Sequence, residues 1–234
     1  MIPIKTESVW RGTADCRRCG VRDSVLFADL KEEDFRLIHA PIDHLEFKPG
    51  GVIYREADTG HSIFTLRQGM VKLVRVTADG RQRIVRVLRP GDVIGLEALG
   101  GARYDSEAVA LNEVSVCRIP VDVVHRLGAQ SPRLHPRLMQ KWQQALKDAD
   151  DWLADLNFGS ARQRVANFIL KMRGVLDEQT VVLFARDDMG AMLDLKLETV
   201  SREVSRLVKE QVIEPMDKLG RIYRVLEPAR LQEA

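Results

Sequence analysis

The stretch LETVSREVSRLVK, residues 197–209, alternates between an apolar and a polar face with the period of a helix. Val200, Val204 and Leu207 lie four and three residues apart, so we expect them to share one face and to pack inward. The opposite face carries polar side chains on consecutive turns, namely Glu198, Ser201, Arg202 and Ser205.

These polar side chains suit the base edges of a DNA major groove. An arginine can donate two hydrogen bonds to guanine, a glutamate can accept one from cytosine, and a serine can bind either. Side chains further along the helix are placed for phosphates. The same spacing also forms an ordinary ion pair between Glu198 and Arg202 on a solvated helix. The predicted DNA-contacting set is Glu198, Thr199, Ser201, Arg202, Ser205, Arg206 and Lys209.

The flanking segments favour the DNA-binding interpretation. A short helix is predicted over residues 187–193, with a tight link at 194–196, and the sequence at 212–225 predicts a hairpin of two strands. The order of helix, turn, helix and hairpin predicts a winged helix-turn-helix. Upstream, Ser160 and Gln163 form a capping box that predicts the start of the domain's first helix.

The stretch from about His44 to Pro120 has the sequence pattern of short strands rather than of helices. Short runs rich in valine and isoleucine alternate with turn sequences such as Pro49-Gly50-Gly51 and Pro90-Gly91-Asp92. Regular turns between such runs predict an all-β barrel or sandwich, and Asp79-Gly80 is a strong hairpin signal.

Residues 131–157 contain no glycine, and their apolar residues recur at alternating spacings of four and three. This heptad pattern predicts one long helix with a dimer seam. The alternative is a helix that lies along its own barrel, and one helix can satisfy both. The predicted seam consists of Leu138, Trp142, Ala145, Ala149, Trp152 and Leu156.

Length and composition predict a globular chain of two compact units. The 234 residues are 45% hydrophobic and 30% charged, which excludes collagen-like and wholly disordered chains. A net charge of +2 gives by itself no case for nucleic acid. We expect no membrane-spanning segment and a cytoplasmic location, because the sequence has neither a long apolar run nor an export signal. We expect no enzyme, since no nucleophile–base pair or phosphate loop stands out.

On these residues the sequence resembles the Crp/Fnr family of bacterial transcription regulators. The matching signposts are Lys48-Pro49-Gly50, Gly69, Lys72, Gly80, Pro90-Gly91-Asp92, Gly95 and the stretch Leu197 to Arg202, whose Glu-x-x-Ser-Arg pattern is typical of the Fnr branch. The resemblance implies an α+β fold with a cyclic-nucleotide-binding-like β-barrel (jelly roll), a long dimerisation helix and a C-terminal winged helix-turn-helix. The expected domains are residues 1–126, 127–158 and 159–234.

The resemblance also implies a function. Glu198, Ser201 and Arg202 would read a half-site like TTGAT, repeated as an inverted palindrome and bound by a homodimer, with RNA polymerase as a further partner. Lys196 departs from the pattern, because the family usually has a threonine or serine N-cap there. The alternative function is a ligand- or metal-sensing adaptor that acts through protein contacts and has a degenerate winged helix.

The resemblance does not favour cyclic AMP as the effector. Cyclic-nucleotide sensors of the family resemble one another in a phosphate cradle that contains an arginine. The corresponding stretches here are Gly95-Leu96-Glu97 and Asp105-Ser106-Glu107, whose carboxylates would repel the phosphate.

The cysteines leave several interpretations open. The Fnr branch looks like an iron–sulfur sensor with four cysteine ligands, whereas this chain has Cys16, Cys19 and Cys117 only, with Val25 near the place of a further one. Asp23, Glu32 or a histidine could complete the ligand set. Vestigial or structural thiols, thiol redox switching and another metal are alternatives. Haem is a further alternative, but no spacing in the sequence identifies an axial ligand among the histidines, which are His39, His44, His61, His125 and His135.

Overall fold

The apolar runs between the predicted turns form strands in the computed structural model, which describes residues 26–35, 42–173, 179–218 and 220–233. The strands are β1 (Asp43–Phe47), β2 (Val52–Tyr54), β3 (Ser62–Gln68), β4 (Val71–Val76), β5 (Gln82–Leu88), β6 (Val93–Ile94), β7 (Glu107–Ala110) and β8 (Val114–Pro120). They form two four-stranded sheets with the orders β1-β8-β3-β6 and β2-β7-β4-β5. A 3-10 helix, Leu96–Gly100, precedes β7. The predicted all-β fold of this region is confirmed.

Both sheets contribute to one apolar core. Ile63 of β3 and Val116 of β8 come from one sheet, Val71 of β4 and Ala108 of β7 come from the other, and all four are fully buried in it. Alternate residues of a strand point to opposite faces of its sheet, which is why the regular strand patterns can fill such a core.

The hairpin between β4 and β5 turns at Gly80, whose φ of +80° is a conformation that glycine adopts without strain. The carboxylate of Asp79 accepts hydrogen bonds from the Thr77 hydroxyl and from the side chain and backbone of Arg81. These bonds lower the pKa of Asp79 to about 2.

An N-terminal segment is attached to the helices that follow the sheets, α2 (Val121–Gln130) and α3 (Leu134–Leu156). Asp34 lies in α1 (Glu32–Phe35) and is buried, and both of its carboxylate oxygens accept hydrogen bonds from Arg133 Nη1, at 3.2 and 3.0 Å. Burial opposes ionisation of Asp34, but hydrogen bonds from Lys31 and Ser131 and the charge of Arg133 outweigh it and lower the pKa.

The predicted long helix is α3, which begins three residues later than expected. Ser131 instead ends α2, because its N–H donates to the carbonyl of Leu127. Proline at position 132 then separates the two helices.

The structure divides the predicted seam of α3 between two faces. Leu138 and Ala145 pack against the core of the sheets, and Trp152 and Leu156 are buried within the chain. Lys171 Nζ lies 5.9 Å from the centre of the Trp152 ring. A second set, which we call the outer stripe, follows α3 at spacings of three and four residues, with Ala149 half-buried and the other four residues exposed: Met139, Trp142, Leu146, Ala149 and Leu153.

Up to the second strand of the hairpin, the C-terminal elements follow the predicted order, with small shifts of their ends, and a final short helix was not predicted. The elements are α4 (Ala161–Met172), β9 (Thr180–Val182), α5 (Arg186–Leu193), α6 (Leu197–Lys209), β10 (Ile213–Pro215), β11 (Ile222–Val225) and α7 (Pro228–Gln232). Ser160 and Gln163 form the capping box of α4. The three strands form a sheet with the order β10-β11-β9.

The chain divides into two compact units, Met1–Arg75 with Val85–Lys147 and Val76–Ile84 with Asp148–Ala234. The tip of the β4–β5 hairpin therefore belongs to the second unit. The domains predicted from sequence were uninterrupted ranges, so they could not include such an exchange. The core of the second unit includes Val165, Phe168 and Ile169 of α4, and the Phe168 ring meets the edge of Phe184 at 5.6 Å between centroids.

Candidate nucleic-acid interface

A tight turn joins α5 to α6 and fixes the direction in which α6 leaves it. Asp194 ends α5 in a left-handed conformation, with φ of +53°, and its N–H donates to the carbonyl of Gly190. A Cβ at Gly190 would lie 2.7 Å from the carbonyl oxygen of Leu195, so only glycine fits without a shift of the backbone. The turn places α6 as the second helix of a helix-turn-helix.

The two faces of α6 separate as the sequence predicts. Val200, Val204 and Leu207 are buried, which confirms the inward face. Thr199 and Ser201 are partly exposed, and the rest of the predicted DNA-contacting set is exposed, namely Glu198, Arg202, Ser205, Arg206 and Lys209. These side chains form one accessible surface, which we call the reading stripe, and their contact with DNA stays a prediction.

A carboxylate that the sequence analysis did not single out lies beside this stripe. Glu203 is only 5% exposed, although it is charged and sits in the middle of α6. Its Oε2 accepts a hydrogen bond of 3.3 Å from Arg206 Nη1, and its Oε1 lies 3.7 Å from Arg202 Nε. Two arginines of the reading stripe are therefore in contact with the same buried charge.

A second set of ion pairs fastens the end of α6. Arg162 of α4 donates two hydrogen bonds, of 3.1 and 2.7 Å, to the carboxylate of Glu210, which follows α6. Arg230 of α7 donates to the same carboxylate at 3.4 Å and to the Glu210 carbonyl at 3.0 Å. The bonds with Arg162 lower the pKa of Glu210 and raise that of Arg162. This paired, two-pronged geometry holds three helices in a defined arrangement.

The hairpin of β10 and β11 is tied to the first helix of the motif. Arg186, the first residue of α5, donates a hydrogen bond of 2.9 Å to the Tyr223 hydroxyl in β11. The Asp217 carboxylate accepts from the backbone N–H groups of Arg221 and Ile222, which closes the hairpin. Lys218 and Arg221 are exposed at this tip. The hairpin therefore has the form of a wing with cations at its end.

Comparison with known families agrees with this architecture. Residues 44–131 match the cyclic nucleotide-binding domain family, and residues 163–234 match the Crp-like helix-turn-helix domain family. The two matches cover the sheets of the first unit and the winged motif of the second.

The chain belongs to the Crp/Fnr family of bacterial transcription regulators. The Crp/Fnr regulators that it resembles include the transcriptional activator Anr of Pseudomonas aeruginosa, to which it is 27% identical over 92% of this chain and 91% of Anr. The fumarate and nitrate reduction regulatory protein of Vibrio cholerae is 24% identical over 93% of this chain and 89% of its own length. Among solved structures, FixK2 from Bradyrhizobium japonicum superposes with a TM-score of 0.73 and 26% identity, over 83% of this chain and 97% of FixK2. The relatives are regulators of transcription, which supports the expectation that this Crp/Fnr protein is not an enzyme.

In the part of this Crp/Fnr chain that the structure describes, no helix is both long and apolar enough to cross a lipid bilayer.

The residues that stand where Crp/Fnr sensors bind a cyclic nucleotide do not fit that ligand. Ser106 is buried, but it is flanked by the carboxylates of Asp105 and Glu107, and Glu97 Oε1 accepts a hydrogen bond of 3.4 Å from the Asp105 N–H. A cyclic phosphate needs a cation at such a position, and a second anion repels it.

Aromatic side chains also occupy the core beside this stretch. The rings of Tyr54 and Tyr104 are stacked, with centroids 3.7 Å apart and an interplanar angle of 11°. The Tyr104 hydroxyl donates to the Ser62 carbonyl at 2.6 Å, and the ring lies against Gly95. Burial raises the pKa of both tyrosines, so both phenols stay neutral.

The predicted metal ligands are only partly described. Cys16, Cys19 and Asp23 lie outside the described residues, and so does His39. Cys117 is half-buried in β8 and packs against the core, opposite His44 of β1. Within the described ranges, no three histidine, cysteine, aspartate or glutamate side chains come together in a way that could hold a metal ion. The described residues therefore supply no iron–sulfur site.

Four of the five histidines considered for haem lie within the described residues. His44 Nε2 is hydrogen-bonded to Ser115 Oγ at 2.6 Å, and His125 Nε2 lies 3.0 Å from the carbonyl oxygen of Leu99. His61 and His135 are exposed. These positions select no axial ligand.

Sequence reasoning missed two residues that shape the interface. Gly190 permits the close approach of Leu195 at the turn, and a glycine inside a predicted helix, three residues before its end, was the available signal. Glu203 was hidden because its spacing from Val200 and Leu207 places it on the inward face, where a charge is not expected.

Proposed function

We propose that this Crp/Fnr regulator binds an inverted-repeat, TTGAT-like DNA site as a homodimer. The single observation that carries the proposal is the reading stripe on α6, which is accessible on the second helix of a winged helix-turn-helix. In this motif the second helix enters the major groove, and its N-terminal residues contact base edges. Glu198, Ser201 and Arg202 occupy the first turns of α6 and are the proposed base readers.

The remaining cations supply affinity that does not depend on sequence. Arg206 and Lys209 lie toward the end of α6, and Lys218 and Arg221 lie at the tip of the wing. Such side chains neutralise phosphates and release counterions, so we expect binding to weaken steeply as salt increases. Their spread over two elements supports docking along one face of the duplex.

The homodimer is proposed from the outer stripe of α3. Trp142, Leu146 and Leu153 are 41, 65 and 57% exposed, which is unusual for large apolar residues that follow a heptad repeat on one helix. A second copy of the same helix would cover them, because identical stripes are self-complementary about a two-fold axis. Of the seam predicted from sequence, the proposed interface keeps Trp142 and Ala149. Leu138, Ala145, Trp152 and Leu156 instead serve packing within the protomer.

A two-fold protein dimer predicts a two-fold DNA site. Two copies of α6 related by this axis would meet half-sites about one helical turn, or about 34 Å, apart. A regulator that acts on bacterial genes in this way works in the cytoplasm, and we propose RNA polymerase as its further partner.

The proposal is tested by selecting binding sites from a pool of random duplexes with the full-length protein. The expected result is enrichment of an inverted repeat of TTGAT-like half-sites with fixed spacing. Enrichment of single half-sites would contradict the dimer. A pool that stays random would contradict sequence reading altogether and favour an adaptor with a degenerate winged helix.

We also propose that the signal is oxygen or the cellular redox state. Support comes from the Fnr-like recognition sequence and from regulators similar to this chain that are named for anaerobic regulation, such as that of Pasteurella multocida, which is 25% identical over 87% of this chain. The test compares DNA affinity with and without oxygen, together with a visible spectrum and iron and sulfide analysis of anaerobically purified protein. Equal affinity under both conditions would contradict the proposal. The spectrum and the iron and sulfide content distinguish an iron–sulfur cluster from a redox reaction of the thiols.

A further inference from the structure

Glu203 is buried at a position of α6 where an apolar residue would pack better than a carboxylate. The inward face of α6 otherwise consists of Val200, Val204 and Leu207, all buried. An ionised carboxylate taken out of water is costly unless charged partners compensate for the lost hydration. The compensation here comes from Arg202 and Arg206, two residues of the reading stripe, and from the charge of Arg162 in α4.

Contact with Glu203 limits how Arg202 can meet DNA. The Nε edge of its guanidinium lies 3.7 Å from Glu203 Oε1, while the side chain as a whole is 67% exposed. The Nη1 and Nη2 donors are the edge left for an incoming partner, and a pair of such donors matches guanine O6 and N7. Holding the guanidinium in advance reduces the rotamer entropy that is lost on binding.

The same carboxylate restrains Arg206 in a different way. Arg206 Nη1 donates to Glu203 Oε2 at 3.3 Å, so one donor and part of the positive charge are engaged within the protein. Charge that is already compensated attracts phosphates less, and phosphate attraction is the part of binding that ignores sequence. Glu203 would therefore weaken binding to random DNA more than binding to the correct site.

We propose that Glu203 is the specificity-determining positioning residue of the reading helix. It orients Arg202 toward a base and withholds Arg206 from indiscriminate phosphate contact, without touching DNA itself. This inference rests on the proposed function, because it requires that α6 reads a DNA sequence.

The test uses full-length variants of Glu203 and a matched control. Glu203→Gln keeps the shape of the side chain and removes its charge, and Glu203→Met also removes the acceptor. Glu214→Gln is the control, because it removes the same charge from an exposed position in β10 of the same unit. Dissociation constants are measured on the selected palindrome, on a palindrome with the guanine of each half-site replaced, and on a random duplex, at several salt concentrations. Thermal midpoints are recorded alongside.

We expect Glu203→Gln to bind the random duplex about tenfold more tightly at low salt and to lose about tenfold in preference for the palindrome over the random duplex. The salt dependence on random DNA should steepen by roughly 0.9 in log–log slope for each phosphate contact that Arg206 gains. Glu203→Met should lose at least as much preference. Glu214→Gln should shift all three duplexes by one common factor.

A preference within twofold of the wild-type value in Glu203→Gln, at an unchanged thermal midpoint, would overturn the inference. If Glu203→Gln fails to fold, Glu203→Met answers the same question, since an apolar side chain suits a buried position. Wild-type protein that shows no preference for any duplex would instead overturn the proposed function, which keeps the two failures apart.

Discussion

The helices α3 and α6 are both amphipathic, yet their sequences relate to their surfaces in different ways. In α6 the apolar residues Val200, Val204 and Leu207 share one face with Glu203, and that face is buried. In α3 apolar residues occupy two adjacent faces, of which one packs within the chain and the other is exposed. A hydrophobic pattern therefore identifies one contact surface only when its residues lie on a single face of the helix. When they lie on two faces, the pattern alone does not tell which residues belong to which contact.

The sharpest test of this difference places charge on the outer stripe of α3. Leu146→Glu with Leu153→Glu should abolish the dimer, because four carboxylates would face one another across the seam. Palindrome affinity should fall by about 10²–10⁴-fold, since two linked reading helices become two independent ones. Light scattering and gel shift measure both effects.

The control for that pair is Gln140→Glu with Ala154→Glu. Both positions are exposed on α3 and lie outside the outer stripe, because successive residues turn by 100° about the helix axis. This variant should stay dimeric and retain palindrome binding. A dimer that survived the charged stripe would show that α3 contains no seam.

The buried face of α6 is tested by Leu207→Ala. The side chain is fully buried, so the free energy of unfolding of the C-terminal unit should fall by about 2–5 kcal/mol. Leu153→Ala in α3 is the matched truncation of an exposed leucine in the same unit, and in the monomer at high dilution it should change that free energy by less than about 0.5 kcal/mol. Thermal and urea unfolding followed by circular dichroism provide the comparison. Equal losses would remove the distinction between the two helices.

The exposed face of α6 is tested by Arg202→Ala. Loss of a two-pronged contact with guanine should cost about 1–3 kcal/mol on the palindrome and relax preference at one base pair. Affinity for random DNA should change much less. If affinity fell by the same factor on every sequence, Arg202 would be a phosphate contact and α6 would not read bases through it.

The segment just before α3 contains an ion pair whose contribution to stability depends on pH. Arg133 is held by Asp34 just before α3, and because the folded pKa of Asp34 is lowered, this pair stabilises the protein fully above the unfolded value of about 3.9. The stabilisation is lost as pH falls through the folded pKa. We expect Asp34→Asn to cost about 1 kcal/mol at pH 7, since Arg133 is partly exposed, and nearly nothing once the pH lies well below the folded pKa of Asp34. Acid unfolding curves of the two proteins should therefore converge, and a gap that stayed constant would contradict the assignment.

The smallest effect concerns the start of α6, where Lys196 occupies the N-cap and its side chain makes no capping hydrogen bond. Lys196→Ser should stabilise the C-terminal unit by about 0.5–1 kcal/mol, because a hydroxyl can accept from the free N–H groups of the first turn. Chemical denaturation of wild type and variant measures the difference. Lys196→Ala serves as the control and should give no such gain.

The elements that could be predicted from sequence are those in which local signals agree. The capping box at Ser160 and the Asp79-Gly80 hairpin each combine a boundary residue with a regular pattern, and the helix from Leu197 has a regular pattern on both of its faces. Such agreement between local preference and pattern is what makes a segment fold in one way.

The features that could not be predicted depend on which parts of the chain meet in space. The division of the α3 seam depends on which face meets the sandwich, and a heptad repeat contains no such information. The stacking of Tyr54 on Tyr104 joins residues fifty positions apart. The pairing of Glu203 with Arg202 and Arg206 depends on burial, which a run of charged residues on a helix does not reveal.

The stacked tyrosines of the sandwich also offer a handle for engineering. Tyr104→Gly would leave a flat void between Tyr54 and Gly95, and the Ser62 carbonyl would lose its hydrogen-bond donor. Voids of this kind in protein interiors bind planar molecules of matching size. Phenol added to the medium would return both the missing ring and the missing donor. A transcription regulator whose cradle is unsuited to a cyclic phosphate could in this way be placed under the control of a synthetic chemical inducer.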